Sequence, residues 1–267
     1  MKFFLQLRKY LIITLDRIDS FFGLSKNKVV VLCYHSFSGN ENRYSISVDE
    51  FERQILKIQK TSDFIGIDQI DNLPSLNNNG RRKVILTIDD GYKSVLKIKP
   101  IIKKYKIPVL LFVVSNIDSV NRQELDTEEQ LLSWKDIIKL RRLGWTIGSH
   151  SVTHSNFSCL NNEDSKFEIV NSKTEISNKI KENVTMFAFP KGNFSKFQLN
   201  AVENAKYKYA FSILPGFVGS SSNPYQMPRT IIDKTHTIEE IPGAFSSLWF
   251  LFRNITNNLR VWDILLK

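Results

Sequence analysis

Hydrophobic positions along this chain follow two alternating patterns. Apolar runs occur at 28–34 (KVVVLCY), 83–88 (KVILTI) and 108–114 (PVLLFVV), and short strands are expected at 145–148, 185–189, 209–213 and 227–232. The long runs are expected of strands buried on both faces. Between them, apolar residues recur at helical spacing. The clearest case is 49–60, with Phe51, Ile55, Leu56 and Ile58 on one side and Ser47 as its cap. Helices are expected likewise over 94–105, 131–143, 164–181 and 196–206. The stretches 72–82, 119–130 and 216–223 are polar, and the first carries Pro74, three consecutive Asn and Gly80, so loops are expected there. Strands alternating with helices predict a parallel sheet with helical crossovers. Seven or eight such units in about 220 residues fit a distorted (β/α) barrel better than an open sheet. The polar stretches read as loop insertions, which leaves one body over 25–235 between terminal segments 1–24 and 236–267.

Both ends read as amphipathic helices. In 1–24, Phe3, Phe4, Leu7, Leu11 and Ile12 share a side, with Arg8, Lys9 and Arg17 elsewhere. In 248–267, Trp249, Phe250, Leu251, Phe252, Ile255, Leu259, Trp262, Leu265 and Leu266 are mixed with Arg253, Arg260 and Lys267. The apolar stretch 10–15 is too short for a signal peptide and is followed by Asp16, Arg17 and Asp19. No run reaches the ~18 apolar residues of a spanning helix. Two readings stand: helices packed on the core, or an interfacial pair on the inner face of a membrane. A cytoplasmic location is expected, with or without that peripheral contact.

At 42% hydrophobic and 24% charged, the 267 residues belong to neither a collagen-like nor a disordered chain. The 37 Lys+Arg against 27 Asp+Glu give a net charge of +10, which suits an anionic membrane surface or anionic substrate. The basic residues are scattered, with no run of five, so nucleic acid is not expected as a partner. Cys33 and Cys159, both in apolar surroundings, form no disulfide framework, and a reducing compartment is expected.

Barrels carry their chemistry at the carboxyl ends of strands. Four strand ends here deliver polar groups: Tyr34-His35, Asp89-Asp90-Gly91-Tyr92, Ser149-His150-Ser151-Val152-Thr153-His154, and Pro190-Lys191-Gly192-Asn193. Two His four apart can hold one metal from one face of a turn, and an Asp from another strand completes a three-ligand site with room for water. A second, adjacent Asp would point the other way and serve as base. HSVTH lacks the Glu of a thermolysin-like protease, which argues against peptide hydrolysis.

The motifs LTIDDGY, GSHSVTH and FAFPKG, in that order, resemble the polysaccharide deacetylase family (NodB-homology, carbohydrate esterase 4). LCYHSF, followed by the helix beginning Phe51-Glu-Arg-Gln, is similar to a branch that includes deacetylases of poly-N-acetylglucosamine export. The resemblance covers about Val29 to Ile232. It implies a distorted barrel and a divalent metal, usually zinc, with cobalt, nickel or manganese also accepted by such ligands. By position it implies Asp90, His150 and His154 as ligands and Asp89 as the base. Hydroxide formed at the metal would attack an acetamide carbonyl, with the metal and a backbone N–H near Lys191 holding the oxyanion. Tyr92, Phe189, Pro190, Lys191 and Gly192 are the expected substrate-binding residues, the two aromatics as stacking surfaces.

Two departures stand out. Ala188 occupies the place of an Arg that in many members orients the base. Arg229 either substitutes for it from a later strand end or forms a surface ion pair. The family's late His has only His236 to match it. His35, at the end of a buried strand on the same rim, is preferred as general acid, with His236 left as a solvated loop residue. The implied substrate is an N-acetylated sugar, polymeric, nucleotide-linked or lipid-linked. The rival readings are a hydrolase of another carbon–nitrogen bond and a metal-free saccharide- or membrane-binding relative.

Overall fold

The computed structural model describes residues 2–75, 79–118, 125–126 and 129–258. The Val/Ile/Leu-rich runs become strands: β1 (Val29–Tyr34), β3 (Arg82–Ile88) and β4 (Val109–Val113) are buried along their whole length. With β2 (Ser62–Phe64), β5 (Thr146–Ser149), β6 (Met186–Ala188), β7 (Tyr209–Phe211) and β8 (Thr230–Ile231) they form one sheet. The order is β7-β6-β5-β4-β3-β1-β8, every pairing of named strands is parallel, and β2 pairs with the start of β3.

The sheet curls until its edges share one segment. Met227 bridges to Phe211 of β7, and four residues later Ile231 of β8 pairs with Cys33 of β1. Residues 227–231 therefore latch the two edges together. Side chains alternate between faces as the pleat requires. Val31, Ile85, Leu110, Phe112 and Phe211 fill the interior, whereas Val30, Leu32, Val84 and Leu86 pack under the helices.

The helices are α1 (Lys2–Phe22), α2 (Val48–Gln59), α3 (Lys99–Tyr105), α4 (Trp134–Arg142), α5 (Asn162–Ile180), α6 (Lys196–Asn204) and α7 (Ser247–Asn258). Ser47, Ser133, Asn161 and Ser195 each accept a hydrogen bond from a first-turn N–H, at the starts of α2, α4, α5 and α6. Helix α4 begins three residues later than its apolar pattern suggests. Ser133 and Asp136 form a capping box there, and Leu131 and Leu132 are drawn back to Tyr92 and Gly91. The expected helix 94–105 is a 3₁₀ turn over 93–98 followed by α3, because Pro100 has no N–H to continue the ladder. The expected loop 72–82 is shorter: a 3₁₀ segment runs to Ser75, and Arg82 belongs to β3. Strand β2 carries too few apolar residues to be seen in the pattern. Parts of the expected loops (76–78, 119–124, 127–128), and Leu259, Trp262, Leu265 and Leu266, lie outside the described residues.

Helix α1 packs on the barrel and on α7. Ile12 is fully buried, Arg8 pairs with Glu240, and Asp19 accepts from the N–H groups of Ser25 and Leu248. Its other face exposes Leu7, Tyr10, Ile18, Phe22 and Phe21, the last 84% accessible. No helix among the described residues is long and apolar enough to cross a membrane. Both cysteines are free. Cys33 is buried inside the barrel, but Cys159 is exposed, because the 3₁₀ turn it ends sends Phe157 into the core instead.

Candidate active site

Strand β3 ends in a tight turn. Gly91 N–H donates to the Asp89 carbonyl at 2.8 Å, with Asp90 and Gly91 both in the left-handed region (φ 69° and 73°). This turn sends the two neighbouring carboxylates in different directions. Asp90 faces the loop after β5, where its Oδ1 lies 3.3 Å from His150 Nε2 and 3.2 Å from His154 Nε2. All three side chains are buried. His150 Nδ1–H donates to the Ala188 carbonyl at 2.8 Å, which leaves the Nε2 lone pair facing Asp90. Asp90 Oδ1 has no satisfying donor of its own. Two imidazole nitrogens and a carboxylate oxygen, all within 4.8 Å of one another, suit a divalent cation. In the bare chain burial pushes Asp90 up, but the imidazoles outweigh it and hold the carboxyl well below its usual range.

Asp89 turns toward Arg229. The guanidinium is fully buried and two-pronged: Nη1 lies 2.6 Å from Oδ1 and Nη2 2.8 Å from Oδ2. Its Nε donates to the Ser212 carbonyl at 2.9 Å, and its face lies over Phe112 and Phe211. Burial pushes Asp89 up, but the charge of Arg229, with His150 beyond it, keeps the carboxyl below its ordinary value. His35, just past β1, is partly buried and stands within 4.8 Å of Asp89 by its nearest ring nitrogen. Burial lowers its pKa, against the pull of Asp90 and Asp89, and its Nδ1 has no hydrogen-bond partner. These groups open into one cleft of about 650 Å³, whose walls include Asn42, Arg43, Tyr44, Asp126, Phe189, Lys191 and Ile213.

The family model for polysaccharide deacetylases matches residues 76–210, half of the chain, and spans both Asp and both His. The chain belongs to the polysaccharide deacetylase family. It is 27% identical over 214 residues to a poly-beta-1,6-N-acetyl-D-glucosamine N-deacetylase of Staphylococcus aureus, covering 74% of this chain and 71% of that one. It is 25% identical over 213 residues to the putative polysaccharide deacetylase YxkH of Bacillus subtilis, covering 76% and 70%. Two solved structures share the fold, each with a TM-score of 0.69 over 82% of this chain. They are the Streptococcus pyogenes deacetylase PplD in complex with acetate (19% identity, 98% of that chain) and IcaB from Ammonifex degensii (22%, 97%). The protein is a hydrolase of the carbon–nitrogen bond of sugar N-acetyl groups, and its cofactor is a divalent metal.

The structure of the deacetylase brings Asp89, Asp90, His150, His154, His35 and Arg229 to one rim. Arg229 is no surface ion pair: its side chain is fully enclosed. Of the five expected substrate contacts, Tyr92, Phe189 and Lys191 line the cleft, whereas Pro190 and Gly192 are buried behind it. Gly192 is fixed by packing, since a Cβ there would lie 2.8 Å from the Ile213 backbone nitrogen. Tyr92 offers no stacking face; it is buried, and its hydroxyl accepts from the Asp126 N–H at 2.8 Å. Phe189 is enclosed by Phe157, Phe187 and Phe194. The accessible ring is Tyr44, 4.9 Å from the His35 ring between centroids. Nothing in the polar stretch around it marks it in the sequence. His236 does not line the cleft. It is half-buried rather than solvated, because its Nδ1–H donates to the buried Asp233 carboxylate at 3.0 Å.

Proposed function

We propose that the deacetylase acts on an N-acetylhexosamine polymer or its lipid-linked precursor, with Asp89 as base and His35 as acid. The observation that carries this is the doubly gripped Asp89 beside the Asp90–His150–His154 group. Those three residues would hold the metal, and zinc is the ion we propose from two imidazoles and one carboxylate. When bound, it makes water a nucleophile near neutral pH and polarises the acetyl carbonyl. Asp89 receives the proton from the attacking water; Arg229 keeps that carboxylate ionised and fixes its direction. His35 gives a proton to the departing amine. Its ring lines the same cleft, and its Nδ1 has no hydrogen-bond partner that would tie it elsewhere. Tyr44 and Arg43 border the approach for a sugar ring. The N-acetylglucosamine polymer named for the Staphylococcus aureus relative supports a polymeric substrate of this type.

The exposed apolar face of α1 and the net charge of +10 support a peripheral position on the inner, anionic face of a membrane. Co-sedimentation with anionic but not neutral vesicles, lost in Phe21→Ser/Phe22→Ser, is the expected result; no binding to either vesicle would exclude it.

The test of the reaction is acetate release from N-acetylated oligosaccharides, nucleotide sugars and lipid-linked saccharides, comparing metal-stripped, zinc-restored and Asp89→Asn enzyme. Zinc-dependent release that falls about 10²- to 10⁴-fold in Asp89→Asn is expected. Undiminished release by that variant would remove Asp89 from the base role.

A further inference from the structure

The turn that carries His150 and His154 is held only in part by its own side chains. Ser151 and His154 both adopt left-handed backbone (φ 69° and 61°), a region that disfavours residues with a side chain. Local side chains supply part of the hold: the Ser151 hydroxyl accepts from His154 N–H at 3.0 Å and the Ser149 hydroxyl accepts from Ser151 N–H at 3.3 Å. Such a backbone persists where its surroundings over-determine it.

The surroundings that do so lie on α5. Glu168 is buried, and its Oε2 accepts from the N–H groups of both Val152 and Thr153, at 2.8 and 2.9 Å. Its Oε1 accepts from the Thr153 hydroxyl at 2.6 Å. One carboxylate thus ties three donors from the middle of the five-residue stretch whose ends are the two imidazoles. The opposite side of the turn is held by the strand β4 exit, where Ser115 and Asn116 N–H donate to the Ser151 and Val152 carbonyls, both at 3.0 Å. That exit is tied to the same helix, since the Ser115 hydroxyl donates to Glu175, two turns beyond Glu168, at 2.7 Å. An apolar residue at 168 would leave the Val152 and Thr153 N–H groups and the Thr153 hydroxyl without this acceptor. A carboxylate aimed at the two backbone N–H groups between metal ligands has a more specific use.

We infer that Glu168 is a positioning residue for the metal: it sets the spacing of His150 and His154, and so the affinity of the site. This rests on the proposal that Asp90, His150 and His154 hold the ion. Groups that orient metal ligands typically account for about 10- to 100-fold in metal affinity.

The experiment is zinc titration by calorimetry of the full chain, with cobalt(II) absorption spectra as an independent view of ligand geometry. Glu168→Gln can reproduce all three contacts, with its amide oxygen on the two N–H groups and its NH₂ on the Thr153 hydroxyl, so near wild-type affinity is expected. Glu168→Ala should bind zinc about 10- to 100-fold more weakly and alter the cobalt spectrum. Glu168→Asp keeps the charge but is one methylene short, and should weaken binding in the same direction; it decides the matter if the alanine variant does not fold. Wild-type zinc affinity in folded Glu168→Ala or Glu168→Asp overturns the inference, as does equal loss in Glu168→Gln. A wild-type chain that binds no metal overturns the metal assignment itself, a result distinct from the first two.

Discussion

Arg229 and Asp89, 140 positions apart in the chain, meet in a fully enclosed two-pronged ion pair. The pair does two jobs that one charge alone would not. It offsets the burial of a carboxylate, and it fixes both oxygens in a plane, as only a guanidinium fork can. Removing one partner leaves the other charged and unpaired. Arg229→Ala should therefore lower unfolding stability by about 3–5 kcal/mol, read from denaturant titration. Arg229→Lys keeps the charge and loses the fork. It should stay folded while kcat falls on the order of 10²-fold with KM little changed. A lysine variant with wild-type kcat would show that charge alone suffices.

Chelation should abolish acetate release, and zinc should restore it. The same ion should stabilise the stripped enzyme by about 2.7 kcal/mol at a hundred times its Kd, read as a rise in melting temperature. Asp90→Asn and His154→Gln should lose both effects together. A thermal shift that survives in these variants would mean that zinc binds elsewhere.

Asp233 makes the fold acid-sensitive. Burial pushes its carboxyl up, but the His236 ring, the Thr235 hydroxyl and the charge of Arg43 outweigh that and hold it far below the usual range. A carboxyl depressed on folding stabilises fully above its unfolded value of roughly 4, and that stability is lost as pH falls toward the folded value. The gap in melting temperature between wild type and Asp233→Asn should be constant at neutral pH and shrink below about pH 4. A gap that widens on acidification would contradict this assignment.

Tyr44→Ala should raise KM for an oligosaccharide by about 3- to 10-fold, the worth of one aromatic contact, and leave kcat within a small factor. Tyr44→Phe should behave as wild type. Progress curves over a range of chain lengths would measure both; an unchanged KM in the alanine variant would place the sugar elsewhere in the cleft.

What could be read in the sequence was set by periodicity and by strand ends. Buried strands announce themselves as apolar runs, so β1, β3 and β4 were legible, and with them the rim that carries His35, Asp89 and Asp90. Residues whose roles depend on approach in space were not. Tyr44 sits in a polar loop with no pattern, and Glu168 lies mid-helix, where a glutamate reads as a solvated face. Tyr92 shows the converse: an aromatic beside a motif looks like a sugar platform until its hydroxyl is found tied to Asp126. Helix α4 starts later than its pattern indicates because Leu131 and Leu132 satisfy the helical period while pairing with Tyr92 and Gly91 instead.

The latch at 227–231 bears on timing during synthesis. Asp89, Asp90, His150 and His154 all precede Arg229 in the chain and leave the ribosome before it. Until the latch docks between β7 and β1, Asp89 lacks the Arg229 counter-charge, and enclosing its carboxylate would be unfavourable. The same five residues that seal the barrel supply that counter-charge. If Asp89 is the base as proposed, a nascent chain that already contains Asp90, His150 and His154 still waits on this late segment to become active.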